Sequence, residues 1–353
     1  MTATRPLPQD DINHVWNHTK DLWSSLQRKS IFITGGTGFF GIWLIETLIA
    51  ANTIGNLELQ IVVLSRDPTS FLAKMPHIAS CSSIKWIKGD ICNFTFPDGA
   101  FDYVVHAATE TSNRLTTNDK TTELHSMIEG TKRVLEFARA SGVIKMLFTS
   151  SGAVYGPHHG AILGMKEDCV ISLDSMDSSA SYAIGKRVSE HLCWLHSLSS
   201  GCQISIARCF AFVGPHLPLD QNYAIGNFIR DGLNGKPLQI TGNGRAIRSY
   251  LHAADLMIWL WTILFRGKGC RAYNVGSANS ISIANLACEV ATAMGQTLPI
   301  PISSQLRDDN TSVYVPDLDR AFNELGLQQH ISLPEAIRRT VNWYYLQHTH
   351  ESL

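Results

Sequence analysis

The chain has 353 residues, which at roughly 150 residues per domain is enough for two domains or for one large α/β unit with an attached lobe. With 44% hydrophobic and 17% charged residues, the composition excludes a mainly disordered, collagen-like or coiled-coil protein. The 29 Lys and Arg residues are balanced by 30 Asp and Glu residues, so the chain has no global positive field that would attract nucleic acid or an anionic membrane.

The N-terminal residues 1–28 do not have the pattern of a targeting segment, because no basic region precedes an apolar stretch with a cleavage site. Asp10 and Asp11 precede apolar residues at near-helical spacing, which predicts a helical extension that packs on the body of the protein. The longest apolar run, 256–265, is shorter than the roughly 20 residues of a membrane span and indicates a buried helix. The eight cysteines show neither C-x-x-C pairs nor metal-ligand spacing. We therefore expect a cytoplasmic protein with reduced thiols, no bound metal and no membrane partner.

Short apolar runs alternate with helical stretches through the first 208 residues. The predicted strands cover 31–34, 59–64, 84–87, 103–105, 145–149 and 204–207. The predicted helices cover 39–51, 123–141 and 181–198. This alternation predicts parallel βαβ units in a doubly wound sheet. After residue 208, Gly, Pro and Asn become frequent, and a helix near 254–265 and a strand near 272–275 could return to the sheet.

The segment 34–41, with the sequence TGGTGFFG, separates the first predicted strand from the first predicted helix. Its glycines have the spacing G-x-x-G-x-x-G, and glycine permits positive φ and close approach of backbone to a phosphate. The helix N-terminus adds free N–H groups and a partial positive charge. A strand before the loop and a helix after it are the context that a dinucleotide fingerprint requires. We therefore predict a cofactor site, with a bare glycine turn as the alternative, formed by Gly35, Thr37, Gly38, Phe39, Phe40 and Gly41.

The end of the second strand bears on the choice of cofactor. An acidic residue there would bind the ribose 2′-hydroxyl of NAD, whereas a nearby Arg suits the 2′-phosphate of NADP. Ser65 occupies the position expected for the acid and Arg66 follows it, so NADP is slightly favoured over NAD. Arg66 could instead stack on adenine or face solvent. After the third strand, Asp90 and Ile91 are candidate adenine contacts, although Asp90 could equally be a turn residue.

Three residues form a candidate catalytic set. Tyr182 and Lys186 are four residues apart on a predicted helix and therefore share one face. A tyrosine is a poor base at neutral pH, but a nearby ammonium and a cationic nicotinamide stabilise the phenolate. Ser151, at the carboxyl end of the fifth strand, can hydrogen-bond a substrate oxygen and orient it for proton transfer. Packing and solvation of Tyr182 and Lys186 are the alternative reading.

On these motifs the chain resembles the extended short-chain dehydrogenase/reductase family, and within it the nucleotide-sugar epimerase/dehydratase group. The resemblance runs from about residue 29 to 327 and is carried by segments 34–41, 89–91, 106–108, 150–156, 182–186, 214–215 and 248–250. It implies a Rossmann-type fold and hydride exchange between a sugar and NAD(P). It also implies that Tyr182 is the acid/base, that Lys186 is its electrostatic partner and a nicotinamide-ribose ligand, and that Ser151 orients the substrate.

The resemblance further adds Ala107 and Ala108 to the cofactor site and predicts an interleaved domain arrangement. We expect an N-terminal helical extension at 1–28 and a dinucleotide-binding domain at 29–208 plus about 251–275. A smaller C-terminal substrate-binding lobe would comprise 209–250 and 276–353, with the active site in the cleft between the two. The helices near 121–140 and 181–198 commonly pair across a two-fold axis in this family, so a homodimer is expected.

Departures from the family pattern reduce the number of reactions that the resemblance allows. In the 4,6-dehydratases of this group an Asp-Glu pair follows the position of Ser151, and the decarboxylases also carry a Glu there. This chain has Gly152 and Ala153, which cannot transfer a proton. Dehydration and decarboxylation are therefore disfavoured unless another residue supplies the acid. The family also often has Asn where Met127 and Ala211 stand here. C4 epimerisation and reduction of a 4-keto sugar need only the Tyr, the Ser and the cofactor.

The candidate substrate residues lie mainly in the later part of the chain. In the resembling enzymes an Asn at the position of Asn227 and an Arg at the position of Arg248 contact the nucleotide diphosphate, and a guanidinium can form two charge-assisted bonds to phosphate. Arg307 could be a second clamp, and Thr109 a sugar contact. For these residues, a surface arginine or an Asn helix cap is the alternative.

The leading hypothesis is a nucleotide-sugar 4-epimerase or 4-ketoreductase, with a nucleotide-diphosphate sugar as the substrate. A dehydratase or decarboxylase that lacks the usual acid pair is one alternative. A reductase of lipophilic ketones is another, although Asn227 and Arg248 argue against it. A non-catalytic NADP-sensing protein is the alternative outside enzymes, and relatives of that kind tend to lose the Tyr or the Lys that this chain keeps.

Overall fold

A computed structural model of the chain describes residues 4–109, 117–157, 164–170, 172–221, 223–240, 242–296 and 311–351, with only the backbone at 117–119 and 348–351. The chain divides into two compact units. The first unit comprises Met1–Val154, Ser172–Arg208 and Met257–Tyr273. The second comprises Tyr155–Ile171, Cys209–Leu256 and Asn274–Leu353.

Helices and strands alternate along the first part of the chain, as the hydrophobic pattern predicts. The strands are β1 (Ser30–Thr34), β2 (Gln60–Ser65), β3 (Ile84–Lys88), β4 (Tyr103–His106), β5 (Lys145–Ser151), β6 (Gln203–Cys209), β7 (Phe212–Val213), β8 (Ile247–Ser249), β9 (Leu251–His252), β10 (Arg271–Val275), β11 (Ser280–Ser282) and β12 (Val313–Tyr314). The α-helices are α1 (Gln9–Thr19), α2 (Phe39–Gly55), α3 (Pro68–Lys74), α4 (Pro76–Ala79), α5 (Thr117–Ala140), α6 (Ser181–Ser200), α7 (Ala224–Leu233), α8 (Ala253–Arg266), α9 (Ile283–Ala293), α10 (Asp319–Leu325) and α11 (Leu333–Glu351). Short 3-10 helices cover Trp23–Leu26, Gly152–Tyr155 and Ser178–Ala180.

The central sheet has seven strands in the order β10-β6-β5-β4-β1-β2-β3, and the pairs from β3 through β5 are parallel. Apart from β10, this is the 3-2-1-4-5-6 order of dinucleotide-binding sheets, which bind ligands beyond the carboxyl ends of the strands where the order reverses. The reversal lies between β1 and β4, where Thr34 pairs with His106. The prediction of a Rossmann-type doubly wound sheet is therefore confirmed.

The first unit buries strands that are apolar on both faces. Ile31, Phe32 and Ile33 in β1 are fully buried, as expected for a parallel sheet covered on both sides. On one face the strands pack against α5 and α6 around an aromatic group in which Phe32 and Phe137 have ring centroids 4.5 Å apart. This packing fixes α5 and α6 against the sheet.

The N-terminal extension differs in part from the sequence prediction. The predicted amphipathic helix ends at Thr19, and the remaining apolar residues lie on the 3-10 helix Trp23–Leu26. Trp23 is buried with its ring 5.6 Å from that of Trp261, and the indole of Trp261 donates to Thr47 on α2 at 3.1 Å. The indoles of Trp23 and Trp261 therefore hold the extension to the body of the first unit.

Two short helices, α3 and α4, were not predicted. Pro68 and Pro76 each occupy the first turn of one of them, where a proline is tolerated because its missing N–H would have no partner in the helix. Asp67 caps α3 by accepting from the backbone N–H of Ser70 at 3.0 Å. The hydrophobic periodicity of segments this short is too weak to reveal them.

The second unit contains a three-stranded sheet in the order β11-β8-β12 and a pair formed by β7 and β9. Helices α7, α9 and α11 pack against one another. Helix α7 begins after Tyr223, which has an extended backbone. All eight cysteines have free thiols. Among the described residues, no helix is both long enough and apolar enough to cross a membrane.

Candidate active site

The glycine loop closes tightly between β1 and α2. Gly35 has a φ of +75°, and a Cβ there would lie 2.5 Å from the carbonyl oxygen of Ala107. A Cβ on Gly41 would lie 2.2 Å from the carbonyl oxygen of Gly35. Real Cβ atoms do not approach backbone so closely, so the fold itself requires glycine at both positions.

Gly38 differs from its two neighbours in the motif. It is exposed, its φ is −87°, and the nearest atom to a Cβ there would be 3.6 Å away. It is the N-cap of α2, which has no side-chain cap, so the first N–H groups of the helix are not covered by a capping side chain. Packing within the fold therefore does not require glycine at this position.

The carboxyl ends of β1 and β4 are joined by hydrogen bonds. The backbone N–H of Ala107 donates to the carbonyl of Thr34 at 3.2 Å, and that of Ala108 donates to the Thr34 hydroxyl at 3.2 Å. Ala107 and Ala108 are therefore fixed directly beside the glycine loop. The Ala107 backbone lies so close to the loop that a side chain at Gly35 would collide with it.

His106 connects the end of β4 to α5. Its Nδ1 is 2.8 Å from the Thr34 hydroxyl and its Nε2 is 3.2 Å from the Thr131 hydroxyl. Thr131 in turn donates to the Met127 carbonyl at 2.7 Å, so the neutral imidazole that fits donates from Nε2 and accepts at Nδ1. Burial lowers the pKa of His106 to about 3, and the positive charge of Lys186 contributes. We did not assign His106 a role from the sequence, although the motif 106–108 contained it.

The residues at the ends of β2 and β3 form local hydrogen bonds. The buried Ser65 hydroxyl accepts from the backbone N–H of Asp67 at 3.2 Å, and Arg66 is exposed. One carboxylate oxygen of Asp90 accepts from the N–H of Cys92 at 2.9 Å, which is the geometry of a turn residue, and Ile91 is half-buried. The last residue of β2 is Ser65, so no acidic side chain stands at that position.

The candidate catalytic residues all belong to the first unit. Ser151 is the last residue of β5, and its hydroxyl accepts from the backbone N–H of Ala153 at 3.1 Å. Tyr182 is half-buried in the first turn of α6, and Lys186 is buried one turn later. The Lys186 Nζ lies 5.9 Å from the centroid of the Tyr182 ring. Gly152 and Ala153 form the start of a 3-10 helix and carry no group that could transfer a proton.

Hydrogen bonds to oxygen atoms hold the Lys186 ammonium. Its Nζ donates to the carbonyl of Thr149 at 2.8 Å and to the hydroxyl of Thr109 at 2.7 Å. It also lies 5.0 Å from the centroid of the Phe148 ring, at a distance where a cation–π attraction operates. Sequence reasoning missed Thr149 and the contact between Thr109 and Lys186, because these residues are far apart along the chain.

The second unit holds two of the predicted substrate residues. The Arg248 guanidinium donates to the carbonyls of Ile247 at 2.8 Å and Ser312 at 3.1 Å, and its burial lowers the pKa. The Asn227 side-chain oxygen accepts from Arg230 at 3.0 Å. Arg307 lies outside the described residues. The three-stranded sheet and α7 thus give Arg248 and Asn227 defined orientations.

Comparison with known proteins identifies the family. Residues 31–276 match the model of the NAD dependent epimerase/dehydratase family. A probable dTDP-glucose 4,6-dehydratase of Sinorhizobium fredii is 27% identical over 344 residues, which cover 89% of this chain and 92% of that protein. UDP-glucuronic acid decarboxylase 1 of Xenopus tropicalis is 25% identical over 93% of this chain and 75% of its own length.

Solved structures share the fold. The UDP-glucose 4-epimerase of Thermotoga maritima, solved with UDP-glucose, matches 90% of this chain and 99% of its own with a TM-score of 0.74 and 19% identity. The dTDP-glucose 4,6-dehydratase DesIV of Streptomyces venezuelae, solved with NAD, has a TM-score of 0.76 and 21% identity over 91% of this chain and 98% of its own. The family model covers well over half of the sequence, and the strand order and glycine loop agree with it. This chain is a member of the NAD dependent epimerase/dehydratase family.

Proposed function

We propose that this protein exchanges hydride at carbon 4 of a nucleotide sugar, as a 4-epimerase or a 4-ketoreductase. The observation that carries the proposal is the arrangement around α6. Lys186 is buried one helical turn from Tyr182 and bonded to the strand that ends at Ser151, while Gly152 and Ala153 provide no acid. This set suffices for proton transfer at one oxygen and lacks the usual means to eliminate water from carbons 5 and 6.

The glycine loop fits the pyrophosphate of a dinucleotide, because space remains at Gly38 and no side chain caps the helix behind it. When bound, NAD(P) supplies the acceptor and the donor of the hydride. The dehydratase DesIV named above was solved with NAD, whereas the exposed Arg66 slightly favours NADP here. The residues that would hold the cofactor are Gly35, Thr37, Gly38, Phe39, Phe40, Gly41, Ser65, Arg66, Asp90, Ile91, Ala107, Ala108, Tyr182 and Lys186.

The chain's own groups move and hold the proton. Tyr182 takes the proton of the C4 hydroxyl during oxidation and returns it during reduction. The Lys186 ammonium stabilises the phenolate, and the Ser151 hydroxyl bonds the C4 oxygen and orients it. In an epimerase the 4-keto sugar turns over before it is reduced on its other face, so the cofactor is regenerated. In a ketoreductase the reaction stops after one reduction.

The diphosphate of the substrate would be bound by the second unit. Arg248 can form charge-assisted bonds to phosphate oxygens, and Asn227 adds an amide donor, with Arg307 as a further candidate. Thr109 is the sugar contact expected within the first unit. We thus assign cofactor binding to the first unit and recognition of the nucleotide to the second.

The reaction is tested by incubating the protein with UDP-glucose, UDP-galactose, UDP-glucuronic acid, dTDP-glucose and a dTDP-4-keto-6-deoxy sugar. Products are identified by NMR, NADPH is followed at its absorbance, and the affinities for NAD⁺ and NADP⁺ are measured in parallel. A changed sugar without net cofactor consumption indicates the epimerase. Stoichiometric loss of NADPH indicates the reductase. Formation of a 4-keto-6-deoxy product from dTDP-glucose would overturn the proposal in favour of the dehydratase.

Tyr182→Phe removes the proposed acid/base while keeping the ring. We expect kcat to fall by at least about 100-fold, the usual contribution of general acid–base catalysis, with cofactor affinity within about threefold of wild type. Turnover and cofactor titration by fluorescence measure both. Unchanged turnover would remove Tyr182 from the mechanism. If neither wild type nor Tyr182→Phe shows turnover and the variant keeps the cellular function, the NADP-sensing alternative is favoured.

We also propose a homodimer formed through α5 and α6. Trp194, Leu195 and Leu198 on α6 are 42%, 46% and 64% exposed, an apolar surface that a partner copy would cover. Light scattering after size exclusion gives the mass in solution. A monomer at micromolar concentration would contradict the proposal.

A further inference from the structure

Helix α6 is attached to the Ser151 segment by more than the catalytic lysine. The Ser150 hydroxyl donates to the Glu190 carboxylate at 2.5 Å. The Arg187 guanidinium donates to the carbonyl of Val154 at 2.6 Å. Together with Lys186 on Thr149, these bonds hold the chain on both sides of Ser151 to the helix that carries Tyr182.

The Glu190 carboxylate is itself fixed from a third element. Arg208 on β6 donates from Nε to one oxygen at 3.0 Å and from Nη2 to the other at 2.8 Å. This two-bond geometry restricts both the position and the rotation of the carboxylate. Glu190 is 8% exposed and Ser150 4% exposed, so water has little access to the Ser150–Glu190 bond.

Stability alone does not explain why Ser150, Glu190 and Arg208 are bonded to one another in the interior. Removing two charges from water costs free energy that their attraction often fails to recover, and apolar side chains of similar volume would serve the fold as well. Arg187 adds a second partly buried cation near Arg208, and burial lowers its pKa. Charged and bidentate bonds instead fix the position and the rotation of the Glu190 carboxylate.

The spacing along α6 indicates what this fixed position serves. Tyr182, Lys186 and Glu190 are each four residues apart, so they lie on successive turns of one helix face. Glu190 and Lys186 contact consecutive residues of β5, Ser150 and Thr149, immediately before Ser151. A movement of β5 relative to α6 would therefore change the separation of Ser151 from Tyr182.

We propose that Glu190, held by Arg208 and bonded to Ser150, is a positioning residue that sets the placement of the Ser151 hydroxyl relative to Tyr182. This inference rests on the proposed function, which assigns the chemistry to these two residues. The role assigned to Glu190 is to act through its bond to Ser150. A displacement of about 1 Å in such a constellation can lower a rate by about 100-fold.

The test compares Ser150→Ala and Glu190→Gln with the control Asp102→Asn. Ser150→Ala removes one bond and leaves the ion pair with Arg208 intact, so it remains informative if Glu190→Gln fails to fold. Asp102→Asn breaks a more exposed ion pair, to Lys29 at 2.8 Å, at the amino ends of the strands and away from the site. We expect kcat to fall about 10- to 100-fold in the two site variants, with KM for the converted sugar of the panel within about twofold of wild type. The control should keep wild-type kcat even if its melting temperature falls.

Wild-type kcat per folded molecule in Ser150→Ala would overturn the inference, whatever its melting temperature. If wild-type protein converts no sugar of the panel, the proposed function fails, and crystal structures of wild type, Ser150→Ala and Asp102→Asn decide the inference separately. A Ser151 Oγ to Tyr182 Oη separation that lengthens in Ser150→Ala and not in Asp102→Asn supports the positioning role. An unchanged separation refutes it.

Discussion

Lys186 is the residue whose surroundings do most to determine the proposed chemistry. Its ammonium is buried and bonded to the Thr149 carbonyl and the Thr109 hydroxyl. The Thr109 hydroxyl in turn donates to the carbonyl of Ala108 at 2.7 Å, so its lone pairs remain directed towards the lysine. Thr109, proposed above as a sugar contact, can therefore also serve to orient the lysine.

Thr109→Val separates these two roles, because it keeps the branched shape and removes the acceptor. A hydrogen bond to a charged group contributes roughly 1.5–3 kcal/mol, so we expect kcat to fall about tenfold and the acid limb of its pH profile to move to higher pH. Thr109→Ser, the matched control, should retain most of the activity. An unchanged kcat with a raised KM would instead mean that Thr109 contacts the sugar and does not support Lys186.

At the scale of elements, the loop between β1 and α2 contains glycines that serve different purposes. A side chain at Gly41 would meet the backbone of Gly35, whereas a side chain at Gly38 would meet nothing closer than 3.6 Å. The motif spacing in the sequence treats the two positions alike. Only the packing of the loop distinguishes a glycine that the fold requires from one that it does not require.

Gly41→Ala should therefore mainly lower stability, whereas Gly38→Ala should mainly lower cofactor affinity. Gly41→Ala forces the loop away from the helix and should lower the free energy of unfolding by about 3 kcal/mol, at the upper end for overpacking. Gly38→Ala should cost less than about 1 kcal/mol and weaken NAD(P) binding about tenfold or more, because the methyl group lies where a phosphate approaches. Denaturant unfolding and cofactor titration measure the two effects. Equal loss of stability in both variants would contradict the assignment.

At the scale of the whole molecule, His106 makes the stability depend on pH. Its imidazole bridges Thr34 and Thr131 in the neutral form, and its pKa in the fold is about 3, against roughly 6.5 in an unfolded chain. Between these values the unfolded chain binds a proton that the folded protein excludes. Stability contributed by the neutral histidine is therefore complete above about pH 6.5 and is lost as the pH falls towards 3.

We expect His106 to lower the free energy of unfolding by about 1.4 kcal/mol for each unit by which the pH falls, over the middle of the range between about pH 6.5 and 3. His106→Gln provides the control, since an amide can donate and accept without titrating. Unfolding in urea from pH 7 to pH 4 gives the slope of the free energy of unfolding against pH for wild type and for His106→Gln. The difference between the two slopes removes the contribution of the carboxylates, which both proteins share. Equal slopes would mean that the histidine has the same pKa in the folded and the unfolded protein.

The sequence by itself determined the features that depend on local order. The strands are recognisable because parallel strands buried on both faces must be apolar. The glycine loop and the Tyr182–Lys186 pair are recognisable because a phosphate cradle and a shared helix face each need a fixed local spacing. The short helices α3 and α4 and the end of α1 at Thr19 escaped prediction, since a few residues carry too little periodicity.

The tertiary structure alone decided which distant residues meet. Lys186 bonds Thr109 across 77 positions, His106 bonds Thr131 across 25, and Glu190 bonds Ser150 across 40. These pairs depend on the order of the strands and on how α5 and α6 pack over them, and composition and spacing record neither. The physical reason is that a hydrogen bond requires its two atoms within about 3 Å, and for residues so far apart along the chain only the folded backbone brings them to that distance.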